Sequence, residues 1–246
     1  MPFLSISLLG LAHWSISNQV LAAESNRPSG AVVKYQGDVI LFDEAKEEPS
    51  QLRDQRHWLF DDNRLESKQA SKAYVKLSGG SKLLMRDQSA VHIVDGRQIR
   101  VLDGKVLFAI AKRKPEQKAF QVATRVAMLG IRGTRFLVES GEENDQFNVY
   151  LKDGDISVYP IEQQFKLFRE GNKQAFDEFA AKSKADFKTF KEQHQQEFFE
   201  YVKEYQMKPN QGIAINGNEL SEVAMPEAIE ALFSELDDPA FDQENF

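Results

Sequence analysis

The 246-residue chain contains no cysteine. This excludes disulfides, thiolate metal sites and a lipid-anchored N-terminal Cys, but it assigns no redox compartment. Histidine is scarce: the four residues, at positions 13, 57, 92 and 194, show no metal-ligand spacing. No glycine elbow presents a serine nucleophile. The segment Gly130-Ile-Arg-Gly-Thr lacks the Gly-Lys-Ser/Thr ending of a phosphate loop. Positive charge is in deficit, with a net charge of −7 that repels nucleic-acid phosphates. Asp61-Asp62 and Glu142-Glu143 lie in turn-rich polar stretches and read as solvated loops. No catalytic, cofactor-binding or metal-binding residue is assigned, and a non-enzymatic protein is expected.

Long apolar runs are equally few. Residues 3–16 form one, short of the about 20 residues that a bilayer span needs. Polar Ser17, Asn18 and Gln19 follow, then Val20, Leu21, Ala22 and Ala23. Residues 1–23 read as a secretory signal peptide cleaved after Ala22 or Ala23, which predicts an exported protein with the periplasm as its compartment.

Alternation is what the chain has in abundance. Between residues 118 and 159, Phe120 and Val122 share a face, as do Phe136 and Val138, then Phe147, Val149 and Leu151, then Ile156 and Val158. A period of two marks strands. Asp153-Gly154 reads as a two-residue hairpin turn. Gly130 and Gly133 predict a bulge or a close backbone approach. Upstream, turn signals recur at about positions 79, 87, 95 and 103, and this spacing suggests a meander, a sandwich or a short β-solenoid. Gly30 to Phe42 reads as two strands around Gly37-Asp38, and residues 43–57 as a surface loop.

The order Phe120-x-Val-x-Thr, Gly130-Ile-Arg-Gly-Thr-Arg-Phe-x-Val and Val149-x-Leu-x-Asp-Gly-x-Ile-x-Val resembles the core of the FecR domain, the periplasmic part of the iron-dicitrate regulator. The resemblance spans about residues 28–160. It implies a β-rich binding module with a protein or envelope partner. The family's glycine-rich approach to the next strand is replaced here by Trp58-Leu-Phe-Asp-Asp-Asn. Arg132, Thr134 and Arg135, at the centre of the resemblance, either tie down local carbonyls or contact a partner.

After Tyr159-Pro160 the period changes. Phe165, Phe168, Phe176, Phe179, Phe187, Phe190, Phe198 and Tyr201 recur in pairs every 11 residues. On a helix they form one stripe, and an 11-residue repeat predicts straight or right-handed winding against a partner helix. The expected architecture is therefore mainly β plus one long amphipathic helical region, in four parts. These are the signal peptide (1–23), the β domain (28–160), the Phe-striped region (161–207, helical from about 162 to 206) and a closing strand, short helix and mobile acidic tail (208–246). The stripe predicts packing on the β domain or on the short C-terminal helix, self-association as a helical bundle or coiled coil, another protein partner, or contact with a membrane surface. Two functional expectations follow: a protein-interaction module of the envelope, or a signal-relay component working with an outer-membrane receptor or a separate membrane regulator.

Overall fold

In a computed structural model, residues 27–43, 46, 48–53, 56–112, 118–140, 146–168 and 200–242 are described. The first strands are β1 (Gly30–Gln36), β2 (Val39–Phe42), β3 (Ser50–Gln51), β4 (His57–Leu59), β5 (Arg64–Ser67) and β6 (Lys72–Leu77). Next come β7 (Lys82–Met85), β8 (Ser89–Asp95), β9 (Gln98–Asp103), β10 (Lys105–Ala109), β11 (Phe120–Ala123), β12 (Ala127–Ser140) and β13 (Gln146–Pro160). The series ends with β14 (Phe165–Phe168), β15 (Glu200–Val202), β16 (Tyr205–Met207), β17 (Gln211–Asn216) and β18 (Glu219–Val223). A short helix, α1 (Glu227–Leu232), and 3-10 turns at Phe233–Asp237 and Pro239–Asp242 follow.

The sheet curls over itself into two wings. One runs β4-β1-β6-β7-β10 and continues through the second half of β12, the first half of β13, β17, β18, β14 and β15. The other runs β3-β2-β5-β8-β9-β11 into the first half of β12, the second half of β13 and β16. Two of the expected turn signals are true hairpins, at 78–81 and 96–97. The other two are corners where the chain crosses between wings: β7 pairs with β6 and β10, β8 with β5 and β9, and β9 with β8 and β11. Buried hydroxyls staple such corners. Ser89 Oγ accepts from the Lys105 N–H, Ser67 Oγ accepts from the Ser89 N–H, and Ser71 Oγ accepts from the Asp38 N–H. These bonds satisfy the backbone groups that a corner removes from the ladder.

The inner faces of both wings share one core, including Val32, Val75, Val91, Ile99, Phe108, Phe120, Phe136 and Val149. The wings differ outside. Strands of the second largely alternate, with His92 beside Ile93 and Arg100 beside Ile99, so their outer face meets water. Strands of the first carry apolar runs, Leu83-Leu84-Met85, Val106-Leu107-Phe108 and Phe136-Leu137-Val138, and so need cover on both faces. Ala31, Val33, Tyr74, Leu84, Leu107, Leu137 and Tyr150 form this outer stripe, and Ile229, Phe233, Leu236 and Phe241 of the C-terminal segment lie on it.

Several expectations are corrected here. Residues 162–206 are not one helix. Phe165–Phe168 and Glu200–Val202 are antiparallel strands, and Tyr201 lies opposite Lys166. The edge of β18 offers a parallel partner, and in that register Phe165 and Leu167 enter the core. Burial outweighs helical propensity. The rest of the stripe, Phe176, Phe179, Phe187, Phe190 and Phe198, lies outside the described residues. Residues 211–216 rejoin the sheet against β13. Asp153-Gly154 makes no hairpin, since β13 runs unbroken through both residues. Residues 43–57 include β3 and the buried Leu52. The acidic tail is docked at least to Asp242, with Phe241 buried, because the outer stripe needs a lid.

Candidate functional site

Long strands β12 and β13 pass from one wing to the other, so both must bend, and they bend at the same level. The register shifts between Arg132 and Phe136. Gly133 adopts φ +64° and Gly154, on the facing strand, φ +96°. A Cβ on Gly133 would lie 2.6 Å from Lys112 Cγ, and one on Gly154 would lie 2.5 Å from the Gly133 carbonyl oxygen. Both positions need glycine for conformation and for space.

Thr134 is buried at this bend. Its hydroxyl donates to the Asp155 carbonyl and accepts from the Asp155 N–H, at 3.1 and 3.3 Å. Its backbone exchanges two bonds with Ile110. Arg135 Nε donates to Asp153 Oδ2 at 2.7 Å, and Asp237 of the tail approaches its guanidinium at 3.7 Å. The hydrogen bond to Asp153, with the charges of Asp153 and Asp237, raises the Arg135 pKa. Arg132 is exposed. The motif at the centre of the resemblance therefore serves first as the corner of the fold, and only Arg132 of the three extends freely towards solvent.

The accessible apolar surface lies elsewhere. Among the described residues the exposed large apolar side chains are Trp58, Tyr159, Ile161 and Tyr201. Two of these four, Tyr159 and Ile161, lie at the turn between β13 and β14, and Tyr201 lies on β15, which pairs with β14. Tyr159 is the penultimate residue of β13, and its hydroxyl donates to Glu204 beside β15. Ile161 is 49% exposed and its N–H reaches the Val126 carbonyl. Tyr201 is 51% exposed on β15. A cavity of about 280 Å³ opens next to Ile161, lined also by Arg125, Val126, Gln163 and Asn218. Of this set only Tyr201 was expected from sequence. Tyr159 and Ile161 look like ordinary strand-end residues, and the contact of Tyr159 with Glu204 comes from the return of the chain.

Among the described residues no group of three or more His, Asp or Glu side chains could hold a metal ion. No described helix is long and apolar enough to cross a membrane.

The fold is thus a curled, mainly β body whose long bent hairpin carries a Gly-x-Arg-Gly-Thr-Arg corner. Residues 63–157 match the family model described as FecR protein, and the chain carries a FecR domain over that stretch. No curated protein matches the chain. Two crystal structures of a candidate anti-sigma factor from Parabacteroides distasonis ATCC 8503, at 1.65 and 2.50 Å resolution, are similar at 15% identity, with TM-scores of 0.47 and 0.46. They cover 70% and 69% of this chain. The chain in turn spans 64% and 63% of those chains, less than two thirds of their length.

Proposed function

We propose that this chain is an exported, non-enzymatic FecR-domain protein that acts in the cell envelope, with the periplasm as its compartment, as a protein-interaction module. The observation that carries this reading is that Tyr159 and Ile161, at the β13–β14 turn, and Tyr201, on the adjoining β15, are large apolar side chains left exposed. Large apolar groups left in water on one ribbon mark a contact surface. Arg132, exposed on the second-wing half of β12, would be a polar contact, and the Phe-rich segment would extend the surface towards a partner or a second copy.

The test is a chain carrying both Ile161→Asp and Tyr201→Asp, compared with the parent by light scattering and by affinity capture from envelope extracts. The variant should lose the parent's self-association or its captured partner while keeping its melting temperature. A parent that is monomeric and captures nothing, or a variant that binds as the parent does, would refute the reading.

The FecR domain itself favours a second reading, a signal-relay component working with an outer-membrane receptor or a separate membrane regulator. Co-purification of the chain with such a receptor supports it. Capture of soluble envelope proteins alone supports the first reading.

A further inference from the structure

Four connections meet at one end of the β body: residues 27–29 ahead of β1, 60–63 between β4 and β5, 78–81 between β6 and β7, and 96–97 between β8 and β9. Backbone bonds lock them together. Ser78 N–H donates to the Ser29 carbonyl and Ser29 N–H to the Leu59 carbonyl, each at 2.8 Å, and Asp62 N–H donates to the Ile93 carbonyl at 2.7 Å. Ser29 Oγ donates to Asp61. Gly96 packs so closely on Ser78 that a side chain there would strike the serine hydroxyl. The result is an open groove of about 770 Å³ whose lining includes Arg27, Trp58, Asp61, Asp95 and Arg97.

The groove differs in chemistry from the apolar surface at Tyr159, Ile161 and Tyr201. Trp58 is 43% exposed on the edge strand β4, opposite Ala31, and its indole is the one large apolar surface on this wall. Arg56 lies 5.6 Å from the ring centroid. Asp95 is turned inward, accepting from the N–H groups of Arg97 and Gln98 at 2.6 and 2.8 Å. Asp61 is held by Ser29. Among the described residues neither the Arg27 nor the Arg97 guanidinium has a hydrogen-bond or ion-pair partner, and both residues are exposed. The groups that line the groove are therefore the half-exposed Trp58 indole with Arg56 over it, the guanidinium forks of Arg27 and Arg97 and the spare oxygens of two anchored carboxylates.

We infer that this groove binds an acidic saccharide. The flat indole suits the C–H face of a pyranose, the guanidinium groups suit the sugar's carboxylate through paired N–H donors, and the carboxylate oxygens suit its hydroxyls. Loops carried on a rigid sheet are where binding sites form. A nucleic acid would share the stacking, but the chain's charge of −7 opposes it.

The experiment is a fluorescence titration of the full chain with Trp14 replaced (W14F), so that Trp58 is the single reporter. Trigalacturonate is the acidic probe and cellotriose the neutral one. Trigalacturonate should change the Trp58 emission saturably, with half-effect at or below about 1 mM. Arg97→Gln should weaken binding about tenfold with the melting temperature unchanged, and added salt should weaken it further. Absence of a saturable change up to about 10 mM, equal binding of cellotriose, or indifference to Arg97→Gln would overturn the assignment. Because the readout is at Trp58, failure here leaves the role of the Ile161 surface untouched.

Discussion

A single methyl group would strike Lys112 at Gly133 and the facing strand at Gly154, and both backbones already lie where L side chains are strained. Gly154→Ala should destabilise the protein by about 1–3 kcal/mol, whereas Arg132→Ala on the exposed face should change stability by no more than about 0.5 kcal/mol. Urea unfolding of the two variants checks the contrast. A damaging Arg132→Ala with a silent Gly154→Ala would show that the bend does not depend on glycine. The glycines were legible in the sequence as a bulge signal. The partner of Gly154 was not, because Asp-Gly between two apolar runs reads equally well as a hairpin. Which reading holds depends on β12 lying alongside 21 residues away, as the Thr134–Asp155 bonds show.

At the scale of elements, the C-terminal segment holds the first wing by two kinds of contact. Phe241 packs on Tyr74 with centroids 5.5 Å apart, beneath Lys82. Around it, Asp238 pairs with Lys34 at 2.9 Å, Glu235 with Lys72 at 2.7 Å and with Arg86, and Glu230 with Lys152 at 2.5 Å. Phe241→Ala should cost about 3 kcal/mol and expose the outer stripe to an apolar dye, whereas the ion pairs are half-exposed and individually weak.

The pH dependence of the Lys34–Asp238 pair follows from the shifts of its two groups. The Ala240 N–H first, and Lys34 next, hold Asp238 below the ordinary carboxylate value of 3.8. A lowered carboxylate contributes stability that is whole above 3.8 and is lost as pH falls through its folded value. Lys34 is raised from 10.5, chiefly by its hydrogen bond to Asp238, so its contribution is whole below 10.5 and is lost as pH climbs through its higher folded value. The tail should therefore loosen in acid below about pH 3.8, and limited proteolysis after residue 223 should quicken there and slow again on neutralisation. Unchanged cleavage across that range would show that packing alone holds the tail. The acidic composition of the tail suggested mobility because composition is local. The basic rim that receives it is gathered from β1, β6, β7 and β13.

At the scale of the whole molecule, one core spans both wings and the β12–β13 hairpin belongs to both. Neither wing can lose its strands without stripping the inner face of the other. Denaturant unfolding should therefore be a single transition, coincident by far-UV circular dichroism and by Trp58 fluorescence in the W14F chain. Two separated transitions would mean that the wings are independent units.

The amino-acid order alone marked most of the strands: alternation marks Phe120 to Val158, and the Gly-Ile-Arg-Gly-Thr-Arg run carries the resemblance to the FecR domain. Tertiary structure decided which strands neighbour one another, that Phe165 and Tyr201 sit in a ribbon, and that an acidic tail is a lid. The physical reason is range. Periodicity and turn chemistry act over a few residues, whereas a strand edge, an uncovered outer stripe or a loop-built groove exists only after residues far apart in the chain have met.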